Sequence, residues 1–173
     1  MDDEKFDLLF SVKRSIRYHD RRVAHFERMH QFSSLLTILL ASSILLQIAG
    51  AKYEPPVWLT TLSFLAAVLA AVDIIVGYAK CAEKHHSLKR RFCELESIVA
   101  EANSASELGK CLKRRAQIEQ DEPPIYRALD ILCHNEVLNA LGIADENPLR
   151  QVPLFKRMTA DFIRWDNIAA VSN

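Results

Sequence analysis

Two residue pairs have the spacing of metal or acid–base partners. Cys81 and His85 stand four apart, one face of a helix, and His134 lies two before Glu136. Neither pair grows into the three or four ligands a metal needs. The chain has no HExxH, no CxxC, no glycine-rich phosphate loop and no Gly-x-Ser-x-Gly. Its four cysteines, Cys81, Cys93, Cys111 and Cys133, match no zinc or redox pattern and read as isolated reduced thiols on helices. No catalytic residue, metal or cofactor is expected, and the chain reads as a non-enzyme.

The remaining chemistry is that of charge. Arg17-Tyr-His-Asp-Arg-Arg22, Lys89-Arg-Arg91 and Lys113-Arg-Arg115 could bind an anionic ligand or lipid headgroups, where each base near the surface contributes about 1 kcal/mol. The charged faces of solvated helices explain them equally well. Nucleic acid is not expected as a partner, because 22 acids balance 22 bases and are interleaved with them. Asp73 stands alone in an apolar run, where a charge either faces a bundle interior or water path or reaches the nearby headgroup layer.

Around Asp73 the pattern changes. Residues 29–51 contain no Asp, Glu, Lys or Arg, and residues 55–79 contain only Asp73. The first run is apolar on nearly every face, apart from hydroxyls that can bond to their own helix carbonyls and the terminal Gln47. Twenty residues of helix cover roughly 30 Å, the thickness of a hydrocarbon core. Trp58, Tyr53 and Tyr78 sit where interfacial aromatics would, and Gly50 to Pro56 makes a short turn. The expected fold is therefore an all-α membrane protein with a transmembrane hairpin at about 31–51 and 56–78. Lys and Arg crowd both outer flanks, with only Lys52 in the turn, which places both termini on the cytoplasmic side. The acidic opening, Asp2-Asp-Glu4, is unlike a cleaved secretory signal.

Both runs continue into charged helices with one apolar stripe. Val12, Ile16, His19, Val23, Phe26 and His30 step by three or four, as do Cys81, His85, Leu88, Phe92, Leu95 and Val99. An uninterrupted helix from Val57 to about Ala102 follows, paired with the first as a cytoplasmic stalk. Residues 1–103 form this part. Residues 104–173 form a C-terminal helical part, with a turn or kink at 101–107 and helices at 108–120, 125–141 and 154–170. The buried face of the second would include Tyr126, Leu129, Leu132, Cys133, Val137 and Leu141, with Gly142 just past its end. The last helix packs on the stalk or lies in the membrane interface.

Ile16-Arg-Tyr-His-Asp-Arg-Arg22 with Phe26, the two apolar runs, Glu122-Pro-Pro-Ile-Tyr126 and His134-Asn-Glu136 together resemble the SLATT family of prokaryotic two-transmembrane-helix proteins, over roughly Ser11 to Gly142. The resemblance implies an effector of bacterial defence in the inner membrane, often coupled to a nucleotide-signalling enzyme or its small-molecule product. It places weight on Arg17, Tyr18, His19, Arg21, Arg22, Tyr126, His134, Asn135 and Glu136 as ligand, lipid or partner contacts. One hairpin cannot enclose a channel, so a pore would require a homo-oligomer in the bilayer. Ser34, Thr37, Ser42 and Asp73 would then line it or hold helices together; the small residues also fit ordinary hairpin packing. The functional expectation is a pore-forming or membrane-disrupting effector. The alternative is a membrane anchor that recruits a cytoplasmic partner without conduction.

Overall fold

No proline or glycine interrupts residues 2–49, and one helix, α1, runs unbroken over Asp2–Ala49, its acidic first turn complementing the helix dipole. The computed structural model describes residues 2–49, 57–144 and 149–165. The other helices there are α2 (Val57–Val76), α3 (Tyr78–Glu101), α4 (Ala105–Glu119), α5 (Arg127–Leu141) and the short α6 (Leu154–Met158).

Local chemistry sets the breaks. The helix expected to run uninterrupted from Val57 is divided at Gly77, whose φ of 64° lies in the left-handed region that glycine enters without strain. Hydrogen bonds from Gly77 N to Asp73 O (2.8 Å) and from Cys81 N to Gly77 O (3.0 Å) span the break. The supposed kink at 101–107 contains a helix start. Ser104 Oγ accepts from Glu107 N while the Glu107 carboxylate accepts from Ser104 N, a reciprocal capping box. Gly142, at φ 71°, closes α5. The helix expected over 154–170 stops after Met158. Thr159 Oγ1 bonds back to the Phe155 carbonyl (2.8 Å) and accepts from Trp165 Nε1 (3.1 Å), turning the chain so that Ala160 is buried.

The chain divides into two units. The first comprises the described residues of 1–22 and 84–173. One core cluster in it joins Leu8 and Val12 of α1 to Leu88, Phe92, Leu95 and Val99 of α3 and to Leu108, Cys111 and Ile118 of α4. A second joins Tyr18 to Ala128, Leu129 and Cys133 of α5 and to Ala160. Ion pairs cross between elements: Lys13–Glu96 and Lys89–Asp20 link α1 to α3, Arg14–Asp130 and Arg21–Glu136 link α1 to α5, and Arg91 meets Asp121. The second unit, residues 23–83, pairs α1 with α2 and the start of α3, through His30 Nδ1 and Asp73 Oδ2 (3.4 Å) and the rings of Phe26 and Tyr78.

This packing corrects the membrane reading. Among the described residues one helical stretch, Thr60–Glu101, is long and apolar enough to cross a membrane, whereas a hairpin at 31–51 and 56–78 requires two. Its turn, 50–56, lies outside the described residues, as do the loop expected at 145–148 and residues 166–170 of the expected last helix. The stalk residues that fall in the first unit, 11–22 and 84–101, lie instead in a bundle with α4 and α5. Lys13, Arg14, Arg21, Lys89 and Arg91, five of the flanking bases from which the topology was read, each face an acid within it. A base satisfied inside the fold is not a headgroup anchor, so the lipid partner, the multi-pass inner-membrane location and the cytoplasmic placement of both termini go with the hairpin.

The capping box gives a direct check. Ser104→Ala should lower stability by about 1 kcal/mol in urea denaturation followed by circular dichroism, and Ser104→Asp, which caps equally well, should restore it.

Candidate functional site

The densest polar cluster lies inside the first unit. Tyr18, His19 and Arg22 come from adjacent turns of α1, and His85 from the stripe of α3 that also carries Leu88 and Phe92. Glu122 and Tyr126 come from the segment between α4 and α5. Tyr18, His19, Arg22 and His85 are all buried.

His19 is bonded at both ring nitrogens. Its Nε2 lies 2.9 Å from Glu122 Oε1, and its Nδ1 lies 2.8 Å from His85 Nδ1. Its ring stacks on Phe92 at 5.6 Å between centroids. Two facing Nδ1 atoms make a hydrogen bond only when one proton lies between them: with none, lone pairs oppose, and with two, N–H opposes N–H. One proton between the two Nδ1 atoms satisfies both, while Nε2 of His19 faces the Glu122 carboxylate. Burial, then the neighbouring His19, Arg22 and Lys84, lower the His85 pKa to about 3, so His85 is neutral near pH 7.

Beside this chain, the Tyr18 hydroxyl accepts from Tyr126 N (3.0 Å), and burial pushes its pKa up to about 12. The Arg22 guanidinium lies 4.2 Å from the Tyr126 ring centroid and donates from Nη1 to the Asp161 carbonyl (2.7 Å). The cluster therefore joins α1, α3, the α4–α5 connection and the turn after α6.

The arrangement organises structure more readily than it performs chemistry. His19 spends opposite nitrogens on His85 and Glu122, so the three do not converge on one point. Among the described residues no group of three or more His, Cys, Asp or Glu is placed to hold a metal ion. The Cys133 thiol is buried, which lifts its pKa to about 12 and leaves it protonated.

Of the residues weighted by the resemblance, Tyr18, His19, Arg22 and Tyr126 meet here. Arg21 pairs with Glu136 at 3.2 Å. Asn135 forms two bonds with the backbone of Arg150, at 2.7 and 3.0 Å. His134 packs edge-on against Phe10, 5.0 Å between centroids, and burial lowers its pKa. Arg17 lines a cavity of about 310 Å³ with Lys13, Ile16, Glu96, Val137 and Leu141. His85 and Glu122 were not expected at this site. The i, i+7 step from His85 to Phe92 marked a buried face, but nothing local pointed Glu122 toward His19.

The pore-forming reading does not survive the structure. Asp73 is half-buried and faces His30, Ser42 Oγ bonds to the Ile38 carbonyl of its own helix (2.8 Å), and Ser34 and Thr37 are half-buried. The single membrane-length stretch among the described residues leaves no hairpin to assemble into a channel. The homo-oligomer was needed only to enclose that channel, and the nucleotide-signalling partner only to trigger it, so both lose their premise. The non-conducting membrane anchor fails with the hairpin it required.

Comparison with known protein families, with curated proteins and with solved structures gives no match.

The histidine pair makes stability depend on pH. The folded pKa of His85 lies below its unfolded value near 6.5, so its contribution is fully present above pH 6.5 and is lost as pH falls toward 3. Between pH 6.5 and 4.5 wild type should lose stability with a component approaching one proton, about 1.4 kcal/mol per pH unit. His85→Gln should remove that component in urea melts repeated across the range; an unchanged slope would show that His85 does not carry it.

Proposed function

We propose that this chain is a non-enzymatic docking protein, in which the apolar outer surface of the helix pair in residues 23–83 is covered by a partner protein. The exposure of α2 carries this reading. Val57 is 83% exposed, Phe64 71%, and Ile74 and Ile75 82% each, with Trp58, Leu65, Val68 and Val72 also exposed. On α1, Phe32, Leu35, Ile38 and Leu39 are exposed as well. Single apolar residues on a surface need no explanation, but a contiguous set of this extent marks a surface that another molecule covers. Trp58, Phe64 and Phe32 supply the large aromatic anchors around which protein interfaces concentrate their energy.

The absence of an enzymatic role is part of the same proposal. It is supported by the internal engagement of the buried histidines and by the protonated state of the buried Cys133 thiol. The likeness to SLATT proteins stands as a proposal of relationship within the polar bundle. Its support is the meeting of Tyr18, His19, Arg22 and Tyr126 in one cluster.

A photo-crosslinking residue at position 64 or 74 tests the function in cells. One discrete protein adduct is expected, and Phe64→Ala should weaken the purified complex at least 30-fold, the effect of roughly 2 kcal/mol at an anchor. Crosslinking to lipid alone, with the chain resisting alkaline extraction from membranes, would overturn the proposal.

A further inference from the structure

A second surface, on the first unit, has a composition that α2 lacks. Between the first turns of α1 and one face of α4 runs a groove of about 490 Å³. Leu8 and Leu108 form its floor, Ala105, Gly109, Leu112 and Arg115 its α4 side, and Glu4 and Asp7 its α1 rim. Ala105, Leu108, Gly109 and Leu112 follow the i, i+3, i+4, i+7 spacing of one helical face. Leu108 is buried in the core, whereas Leu112 is 50% exposed and faces the groove.

Gly109 is the informative residue. It lies inside α4 without a positive φ, and a Cβ built on it meets nothing within 4 Å. Glycine is the poorest helix former after proline, and here neither backbone conformation nor packing within the chain requires it. A missing side chain on the wall of an open groove is what permits another backbone to approach closely.

The rim defines the charge of that visitor. Asp2, Asp3, Glu4 and Asp7 are all exposed, and among the described residues none of them has an ion pair. The first three complement the α1 dipole, but Asp7 lies beyond the first turn. Lys5, the base in this stretch, is turned away to the carbonyls of Ala100 and Ala102, at 2.8 and 2.7 Å. On the α4 side, Arg115 is held by Glu119 at 2.7 Å, while Lys110 and Lys113 are exposed along the edge next to Gly109.

We propose that the α1–α4 groove docks an amphipathic helix of a partner protein, whose apolar face crosses α4 at Gly109 and whose basic edge lies over Glu4 and Asp7. An acidic edge on its other side would meet Lys110 and Lys113. This surface is separate from the apolar face of α2, so either proposal can fail without the other.

Fluorescence anisotropy with the full chain tests it. The probe is a 15-residue amphipathic peptide with Leu at i, i+3 and i+7, Ala at i+4, Lys along one edge and Glu along the other. Its counterpart has all Lys replaced by Asp. The Lys-edged peptide should bind and the counterpart should not. Gly109→Leu should weaken binding at least tenfold, and Glu4→Lys with Asp7→Lys should reverse the preference. Gly109→Ala should raise Tm while weakening binding, an opposition that a purely structural glycine would not show. Equal binding of both peptides, insensitivity to Gly109→Leu, or sedimentation showing the groove closed by a second copy of the chain would each overturn the proposal.

Discussion

A fully buried imidazole must satisfy both ring nitrogens, and at His19 that requirement ties separate parts of the chain together. One nitrogen takes His85 from α3 and the other takes Glu122 from the segment after α4. An unpaired polar atom in the interior costs about 1–3 kcal/mol, so α1 and α3 cannot slide past each other without losing these bonds. Phe92 then stacks on the same ring, and the core of Leu88, Leu95 and Val99 continues from that register. The buried polar chain fixes alignment, and the apolar stripe supplies most of the burial.

The charges of the first unit follow from this alignment. Once His19 meets His85, Lys13 falls opposite Glu96 and Asp20 opposite Lys89, as antiparallel helices require. Arg14 and Arg21, seven residues apart on α1, reach Asp130 and Glu136 of α5. These pairs are partly exposed, so each contributes little, of order 0–1 kcal/mol, to stability. Their larger effect is on specificity, since a slip of seven residues in either direction would set Lys13 against Lys89 or Asp20 against Glu96. A set of bases that reads in sequence as a membrane-facing signal is thereby used between helices.

The two units place apolar residues differently. In the first, Leu8, Val12, Phe92 and Ile118 are buried among neighbours, and the outer surface mixes charges with exposed apolar residues at Leu154, Phe155, Met158 and Phe162. In the second, α2 is apolar on nearly every face, yet buries Ala66 and only partly covers Leu62, Ser63, Leu69, Ala70 and Asp73. A helix apolar all round has to be covered on all sides, and α1 can cover only one. The aromatic and branched side chains on its outer faces are left uncovered by the packing of the second unit.

Sequence by itself determined most of the helical segments and the buried stripe of α3, but not where the last helix stops, nor that Leu141, expected on the buried face of α5, is exposed. The stripe His85, Leu88, Phe92, Leu95 and Val99 is buried throughout, and Gly142 closes α5, because side-chain periodicity and glycine's conformational freedom are local properties. The capping box was equally legible in Ser104-Ala-Ser-Glu107, although a cluster of small polar residues reads as a loop unless that spacing is noticed. The break at Gly77 was not legible, since glycine also sits inside unbroken helices. Only the tertiary structure decided which of 22 bases face which of 22 acids, that His19 is joined to His85 and Glu122, and that the apolar runs do not form a two-span hairpin. Hydropathy counts the residues of a run without seeing their neighbours. Pairing across 66 or 103 positions of chain exists only once the helices are brought together.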